Sequence, residues 1–352
     1  MARSGQNGSP TGGRVPPRSA TVLICYLFGG VFSRRHAAQE ASYGMKDFKK
    51  ILVGVDLSQG DRLVASELAA PTAEAVRCAI CSAAANDAEL LFMAVLDVSP
   101  HTRHLIEEEW PPERCVLDEA RDVLDGLVKQ AAASDVRADS LVVFGKPPVE
   151  MIRRVITGAH DLVVVGTREL GGTRRSLLGY TAVKLIRKCP CPVWVTKPQD
   201  GEPIQSILVA DDLSEVGRVA LDYGASMAAR RDAQLHVLHA VDPPEEHRYF
   251  HGHVAEEEMN KRCEEARQAI QTRLEGVSLT KPPEVRVVHQ PAVLAILEHI
   301  ERYRIELLVM GTLARTGVAG ILLGNTAERL LPEIRCSVLA VKPADFHSPI
   351  RP

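Results

Sequence analysis

Two copies of a glycine-bearing segment are the part of this sequence best suited to binding chemistry. The first reads GTRRSLLGYTAVKLI over residues 172–186, and the second reads GVAGILLGNTAERLL over residues 317–331. Both contain Leu-Leu-Gly-x-Thr-Ala, and a helical pattern follows the glycine in each. Backbone N–H groups at the start of a helix bind anions, and a threonine hydroxyl adds a further donor. The sequence therefore predicts an anion site that is built twice.

An aspartate follows the first apolar strand pattern in each half of the chain. Asp56 ends KKILVGVD, and Asp212 ends QSILVADD. In parallel α/β sheets, ligands bind at the carboxyl ends of the strands, so we expect each aspartate to face the repeated segment. The candidate binding residues are Asp56, Gly166, Gly179 and Thr181 in the first half, and Asp212, Gly311, Arg315, Gly324, Asn325 and Thr326 in the second.

Several other classes of binding site are excluded or disfavoured. No Gly-x-x-x-x-Gly-Lys-Ser/Thr occurs, and no Gly-x-Gly-x-x-Gly follows the first strand pattern, so neither a P-loop nor a dinucleotide fingerprint is present. A net charge of −3 gives no electrostatic reason for binding nucleic acid or an anionic membrane. We therefore expect no nucleic-acid partner and no membrane partner, and the protein partner is not identifiable from the sequence.

Two histidine clusters are weaker candidates, for a metal site. His101 and His104 precede three glutamates at 107–109, and three histidines at 247, 251 and 253 follow two glutamates at 245 and 246. Histidine and carboxylate ligands suit zinc, but these are the compositions of solvated loops. We predict no metal other than Mg²⁺ accompanying a nucleotide.

The eight cysteines lack the dense spacing of a disulfide scaffold. Cys78 and Cys81 lie in an alanine-rich pattern that predicts a helix, whereas Cys189 and Cys191 precede a strand pattern. Neither pair has the setting of a redox or zinc motif. This cysteine usage is compatible with a reducing compartment, and we predict a cytoplasmic protein.

Five strand patterns recur in the same order in both halves. The pairs are KKILVGVD (49–56) with QSILVADD (205–212), AELLFMAVLDV (88–98) with AQLHVLHAVDP (233–243), VRADSLVVFG (136–145) with PEVRVVHQ (283–290), HDLVVVGT (160–167) with IELLVMGT (305–312), and CPVWVTKP (191–198) with CSVLAVKP (336–343). From the second pattern onward, equivalent residues are 145 positions apart, as are Gly166 and Gly311. A constant offset over this length indicates an internal duplication.

The first half is longer than the second at one place only. Asp56 and Asp212 are 156 positions apart rather than 145, so the first half has 11 additional residues between its first and second strands. QGDRLVASELAA (59–70) is the expected insertion.

Helical patterns separate the strands, and two of them, after the third strand of each half, start with proline near the first turn. Strands that are apolar on both faces and alternate with helices indicate a parallel sheet covered on both sides. We therefore predict an α/β fold with two tandem Rossmann-like domains, at 48–198 and 205–344. Residues 199–204 form the linker and residues 345–352 a tail.

The first 44 residues differ in composition from the rest. They are rich in Gly, Pro and Ser, and their apolar run TVLICYLFGGVF has twelve residues, too few to span a bilayer. Two arginines follow this run, and no clean small-residue cleavage site is present, which disfavours an export signal. Met45 directly precedes the first strand pattern, so we predict that residues 1–44 are a disordered or spurious extension.

These features together resemble the universal stress protein family in its tandem form, over nearly all of residues 48–344. The resemblance rests on ILVGVDLS and ILVADDLS, on VVVGT and LVMGT, and on the Leu-Leu-Gly segments that lead to PVWVTKP and SVLAVKP. It implies the adenine nucleotide alpha hydrolase-like fold, with a five-stranded parallel sheet in each domain. It also implies a stress-response role and pairing of the two domains through their last strands, as an intramolecular pseudo-dimer.

Nucleotide-binding members of this family carry Gly-x-x-Gly, then nine residues, then Gly-Ser or Gly-Thr. At these four positions the first half has Gly166, Glu169, Gly179 and Tyr180, and the second half has Gly311, Ala314, Gly324 and Asn325. Both halves keep the spacing and lose two of the four residue types. The resemblance implies that Asp56 and Asp212 face the nucleoside and that ATP is the cofactor.

The second half is expected to be the better nucleotide site. In the first half, Glu169 adds a negative charge near the phosphates, and Tyr180 places a bulky ring where a small hydroxyl is usual. Ala314 adds only a methyl group, and Arg315 supplies a positive charge.

Alternative functions and alternative roles remain open. The functions are an interaction scaffold or apolar-ligand binder without nucleotide, and a slow ATPase, although the sequence shows no convincing general base or phosphate-clamping lysine. The structural roles are a turn cap for each aspartate, a tight turn for each glycine, and a capping box starting at Asn325.

Overall fold

The computed structural model describes residues 46–59, 62–106, 116–169, 176–199, 203–241, 253–312 and 323–352. Tyr43–Pro352 forms one compact unit, which contains both halves of the repeat. The predicted extension at residues 1–44 lies outside the described residues.

All ten predicted strands are confirmed, and the described residues form two further short strands. The first half contains β1 (Lys50–Gly54), β2 (Glu89–Leu96), β3 (Ala138–Phe144), β4 (Leu162–Gly166), β5 (Arg168–Glu169), β6 (Ser176–Leu177) and β7 (Val193–Thr196), and the second half contains β8 (Ser206–Ala210), β9 (Gln234–Ala240), β10 (Glu284–Val288), β11 (Leu307–Gly311) and β12 (Ser337–Val341). The sequence did not predict β5 and β6, which pair with each other; β5 precedes the repeated segment of the first half, and β6 lies within it.

Helices connect these strands as the sequence predicts, apart from one additional short helix, Pro100–His104, where the sequence indicated a loop. They are α1 (Ala70–Asn86), α2 (Pro100–His104), α3 (Val116–Ala132), α4 (Pro147–Gly158) and α5 (Tyr180–Lys188) in the first half, and α6 (Glu215–Arg231), α7 (His253–Leu274), α8 (Ala292–Tyr303) and α9 (Asn325–Leu330) in the second. The predicted prolines are at helix starts, because Pro147 is the first residue of α4 and Pro291 is the N-cap of α8. None of the described helices is long and apolar enough to cross a membrane.

The ten long strands form one continuous sheet. The order is β3-β2-β1-β4-β7 in the first half and β10-β9-β8-β11-β12 in the second, and all strands within a half are parallel. The two halves meet at β7 and β12, which pair antiparallel with Trp194 opposite Leu339. The predicted α/β class with two parallel five-stranded sheets is confirmed.

Each face of the sheet is covered by its own layer of apolar side chains. Ile51 and Val53 point into the layer formed with α1, α3, α6 and α7. Leu52 points into the opposite layer, formed with α4, α5, α8 and α9. Both layers extend across the two halves, and Trp194 is fully buried where the halves meet. This burial on both faces explains why the strands are apolar at successive positions.

Residues near both ends of the described chain contact the other half. The ring of Phe48 stacks on Tyr223, with 5.1 Å between ring centroids. Residues 345–352, predicted to be a tail, include Phe346, which is buried. Arg153 Nε on α4 donates a hydrogen bond of 3.4 Å to the carbonyl oxygen of Arg351. The C-terminal residues of the second half therefore pack on a helix of the first half.

The connection between the first strand and the first helix differs most between the halves. Residues 55–69 connect β1 to α1, whereas residues 211–214 connect β8 to α6. These connections have fifteen and four residues, and both helices have 17 residues. The eleven additional residues are thus located before α1, where the sequence placed the insertion.

Candidate functional site

A cleft of about 440 Å³ opens at the carboxyl ends of the first-half strands. Asp56, Gly166, Gly179 and Thr181, the four first-half residues predicted from the sequence, all line it. The carboxyl ends of β1, β2 and β4 meet there with the start of α4, because parallel strands end at the same edge of the sheet. The volume is typical of sites for small molecules.

Asp56 is held in a defined orientation by the turn that follows it. Its Oδ1 accepts hydrogen bonds from the backbone N–H of Ser58 at 3.0 Å and from the Ser58 hydroxyl at 2.6 Å. The predicted alternative role of capping a turn is therefore observed. Oδ2 accepts no hydrogen bond from the described residues, so this oxygen is available to a ligand.

The additional residues before α1 form one wall of the cleft. Gln59 and Arg62 exchange backbone hydrogen bonds of 3.1 and 3.0 Å, and Ala65 N–H donates to the Leu57 carbonyl at 2.9 Å. These bonds fold the loop back on itself and place Leu57 and Leu63 in the cleft lining. The insertion therefore gives the first half an apolar wall.

Lys146 and Asp97 form an ion pair in the cleft lining that the sequence did not reveal as a site. Lys146 Nζ is 2.8 and 3.1 Å from the two carboxylate oxygens. The hydrogen bond to Asp97 raises the pKa of Lys146. The sequence could have indicated both residues by their positions after β2 and β3, since these strands end at the same edge of the sheet as β1 and β4. Pro291 occupies the position of Lys146 in the second half.

Gly166 and Gly311 are required for packing of helices on the sheet. A Cβ atom at Gly166 would overlap the carbonyl oxygen of Pro71 at the start of α1. A Cβ atom at Gly311 would lie 2.8 Å from Val216 Cγ1 at the start of α6. Close approach of a helix is therefore sufficient to require glycine at both positions.

Gly179 and Gly324 are the N-caps of α5 and α9. Their φ angles of −65° and −63° are open to any residue, so no left-handed turn requires glycine there. The alternative role of Asn325 is confirmed in part: Asn325 starts α9, as Tyr180 starts α5, but the N-cap is Gly324, so the capping box itself is wrong. The main chain enters the helix one residue earlier than the side-chain pattern indicated.

Tyr180 and Thr181 begin α5 at the edge of the cleft. Tyr180 is 67% exposed, and Lys184 Nζ lies 5.3 Å from its ring centroid. Tyr180 is itself part of the cleft lining, so the expected steric conflict of its ring with a ligand stays a prediction. The side chain of Glu169 and residues 170–175 lie outside the described residues.

The second half differs around its aspartate. Asp212 Oδ1 accepts hydrogen bonds from Ser214 N–H, at 3.0 Å, and from the Ser214 hydroxyl, as Asp56 does from Ser58. The side chain of the neighbouring Asp211 is fully buried, and both of its oxygens pair with Arg273 Nη1 at 2.9 and 3.0 Å. Burial raises the pKa of Asp211, although the charge of Arg273 acts in the opposite direction.

The remaining second-half predictions are only partly described. Gly324 N–H donates to the Thr312 carbonyl at 2.9 Å, and Thr326 lies in the first turn of α9. Ala314 and Arg315 lie in residues 313–322, outside the described residues. The expectation that the second half binds nucleotide better therefore stays a prediction.

The histidine and cysteine candidates are placed apart from the cleft lining. His101 and His104 are exposed on α2, while Glu107–109 and most of the second histidine cluster lie outside the described residues. Within the described ranges, no group of three His, Cys, Asp or Glu residues is suited to a metal ion. The cysteines at 78, 81, 189, 191, 263 and 336 are free thiols, and Cys78 and Cys81 lie in α1, as predicted.

Comparison with known proteins gives a consistent result. The model of the universal stress protein family matches residues 47–197 and 203–342. Universal stress protein E of Photorhabdus laumondii is 24% identical over 323 residues, covering 87% of this chain and 99% of that protein. The Haemophilus influenzae homologue of universal stress protein E is 25% identical and covers 72% of this chain and 85% of its own length.

Two solved structures share the fold along most of the chain. A universal stress protein from Archaeoglobus fulgidus has a TM-score of 0.61 at 18% identity, covering 83% of this chain and 98% of that chain. A protein of unknown function from Pseudomonas aeruginosa has a TM-score of 0.62 at 20% identity, with 86% and 96% covered.

Proposed function

Because this chain belongs to the universal stress protein family, we propose that it acts in the stress response by binding ATP with Mg²⁺ in the cleft of its first half. The observation that supports this proposal is that all four first-half candidate residues line one cleft of about 440 Å³. The described cysteines are free thiols, in keeping with action in the cytoplasm.

Each part of the cleft suits one part of the nucleotide. Asp56 Oδ2 accepts from a ribose hydroxyl, because Ser58 already holds Oδ1. The first backbone N–H groups of α5 and the hydroxyl of Thr181 donate to phosphate oxygens. Leu57 and Met151 offer apolar surface to a flat base. Binding of this kind requires no general base, and we assign no turnover to the chain.

The first half is favoured over the second by the length of its β1–α1 connection. The fifteen-residue loop supplies Leu57 and Leu63 to the cleft, whereas the four-residue loop after β8 is cross-linked by Arg273. We also propose that the two halves act as an intramolecular pseudo-dimer, which the antiparallel pairing of β7 with β12 supports.

The test is to titrate ATP and Mg²⁺ into the full chain by calorimetry and to analyse nucleotides extracted from the purified protein. Asp56→Ala should weaken binding by about tenfold or more, because it removes a hydrogen bond to a charged group. Asp212→Ala is the matched variant and should leave that site intact. Loss of binding in Asp212→Ala alone would assign the site to the second half, as the sequence favoured.

A second candidate is a small apolar ligand without phosphate. Leu57, Leu63, Leu96 and Met151 all line the cleft, and this is the observation that favours it. Binding of a hydrophobic fluorescent dye that ATP does not displace would support this candidate. Displacement of the dye by ATP with Mg²⁺ would support nucleotide binding in the same cleft.

A further inference from the structure

The Asp97–Lys146 pair lies in the cleft lining at the carboxyl ends of β2 and β3, across β1 from the strand that precedes α5. Asp97 follows β2 and Lys146 follows β3, whereas Gly179 and Thr181 follow β4, on the other side of β1. Phosphate groups at α5 therefore direct the base of a bound nucleotide toward the ion pair. An exposed ion pair of this kind contributes little to folding stability, so both side chains can serve a ligand at little cost to the fold.

Main-chain structure fixes the positions of both residues. Gly145 N–H donates to the Leu96 carbonyl at 3.1 Å, so the residues directly before Lys146 and Asp97 are hydrogen-bonded to each other. Lys146 is the N-cap of α4 and is followed by two prolines, which restrict its backbone to the extended region. Gly145 has φ +146°, a conformation that favours glycine and turns the chain from β3 into α4.

The pair presents an acceptor beside a donor. Both oxygens of Asp97 accept from Lys146 Nζ, but each has a second lone pair, and the ammonium group has three hydrogens. Adenine presents the complementary groups side by side, with a 6-amino donor next to a ring-nitrogen acceptor. Apolar surface from Leu96 and Met151 adjoins the pair and suits the faces of a purine ring.

We infer that Asp97 and Lys146 determine the base specificity of the first-half cleft, with Asp97 accepting from the 6-amino group of adenine and Lys146 donating to an adjacent ring nitrogen. This inference rests on the proposed function. It is specific to the first half, because Pro291 occupies the place of Lys146 and offers no donor.

The test compares ATP with purine riboside triphosphate, which lacks only the 6-amino group. In the full chain, ATP should bind about tenfold more tightly, the value of one hydrogen bond to a charged acceptor. In Asp97→Ala the two nucleotides should bind with affinities within about twofold of each other. Combining the Asp97→Ala change with removal of the 6-amino group forms a double-mutant cycle that isolates the contact between the two groups. A general loss of structure would instead weaken the binding of both nucleotides alike.

Glu89→Gln is the matched control. Glu89 pairs with Arg137 at 3.1 Å and lies at the opposite ends of the same two strands. This variant should keep the tenfold preference. Lys146→Met should weaken the binding of both ATP and purine riboside triphosphate, because both nucleotides retain the ring nitrogens.

The outcomes separate this inference from the proposed function. If ATP binds and its preference over purine riboside triphosphate persists in Asp97→Ala, the assignment of base recognition is overturned and the proposed function stands. If the full chain binds neither nucleotide, both are overturned.

Discussion

The two halves of this molecule share a sheet architecture and differ in the connection that follows their first strand. In the first half, fifteen residues lead from β1 to α1 and line a cleft. In the second half, four residues lead from β8 to α6, and Arg273 binds both Asp211 and the carbonyl of Leu213, the latter at 2.6 Å. Duplication preserved the packed strands, whereas loops, which tolerate insertion, diverged.

The short connection of the second half is under backbone strain. Leu213 has φ +62°, which is uncommon for a residue with a side chain. Asp211 Oδ1 accepts from Leu213 N–H at 2.8 Å, and Arg273 holds the carbonyl of the same residue. The buried ion pair therefore stabilises a conformation that does not occur among the described residues of the longer first-half loop.

Removing Arg273 should have the largest effect on stability. Arg273→Met leaves the Asp211 carboxylate buried without its cation and should cost about 3–5 kcal/mol. Urea denaturation of the full chain measures the change. The double variant Asp211→Val/Arg273→Met should recover most of the loss, because Val55 already occupies the equivalent position in the first half. A loss below about 1 kcal/mol in the single variant would show that the pair does not clamp the loop.

The lysines that follow β7 and β12 provide a second comparison. Burial lowers the pKa of Lys342 to about 8 and also lowers the pKa of the more exposed Lys197. The unfolded chain keeps the Lys342 proton up to about pH 10.5, whereas the folded chain loses it near pH 8. The cost of burying the charged lysine in the folded state is therefore greatest below pH 8, and it disappears as the pH rises to about 10.5.

Lys342→Met should therefore stabilise the protein by about 2–3 kcal/mol at pH 7 and by nearly nothing above pH 10.5. Lys197→Met should give a smaller gain. Denaturation curves at pH 7 and at pH 10.5 measure both variants. An equal gain at both pH values would contradict the assigned cause.

Acid should destabilise the second half specifically through two buried imidazoles. His299 Nε2 lies 3.3 Å from His236 Nδ1, with Glu284 and Arg286 of β10 and Arg302 of α8 as the charged neighbours. Burial lowers the pKa of both rings, that of His299 to about 4. The unfolded chain therefore takes up protons first, and stability falls as the pH drops from about 6.5 to 4.

This acid effect should amount to about 2 kcal/mol and should be much smaller in His299→Leu. The equivalent first-half residues are Leu91 and Arg154, so no corresponding imidazole pair is expected there. Stability of the wild type and of His299→Leu at pH 7 and pH 4.5 provides the measurement. A variant with an unchanged pH profile would assign the acid sensitivity to other groups.

The smallest predicted effect concerns the inserted loop. Leu63→Ala removes part of the apolar cleft wall, and we expect ATP to bind about fivefold more weakly, with a loss of stability of about 1 kcal/mol or less. Leu294→Ala, on the exposed surface of α8, is the control and should leave affinity unchanged. An unaltered affinity in Leu63→Ala would show that the insertion does not contact the ligand.

The sequence by itself determined the repeat, the ten strands, their connecting helices and the place of the insertion. These features depend on local patterns, since strand polarity, proline at helix starts and glycine after strands are set by neighbouring residues. The 145-residue offset then placed each pattern in register with its copy. The same local patterns predicted that Asp56, Gly166, Gly179 and Thr181 lie at one edge of the sheet, and all four line the cleft there.

Only the tertiary structure decided which distant groups pair and what the glycines accommodate. Asp97 meets Lys146 across 49 residues, because a crossover helix brings the ends of the neighbouring strands β2 and β3 together. Asp211, after β8, meets Arg273 of α7 across 62 residues, because that helix packs on the sheet. Gly166 lies against the start of α1, a role that the spacing of a motif does not express. Such contacts depend on how helices dock on the sheet, and docking is a property of packed surfaces rather than of sequence neighbours.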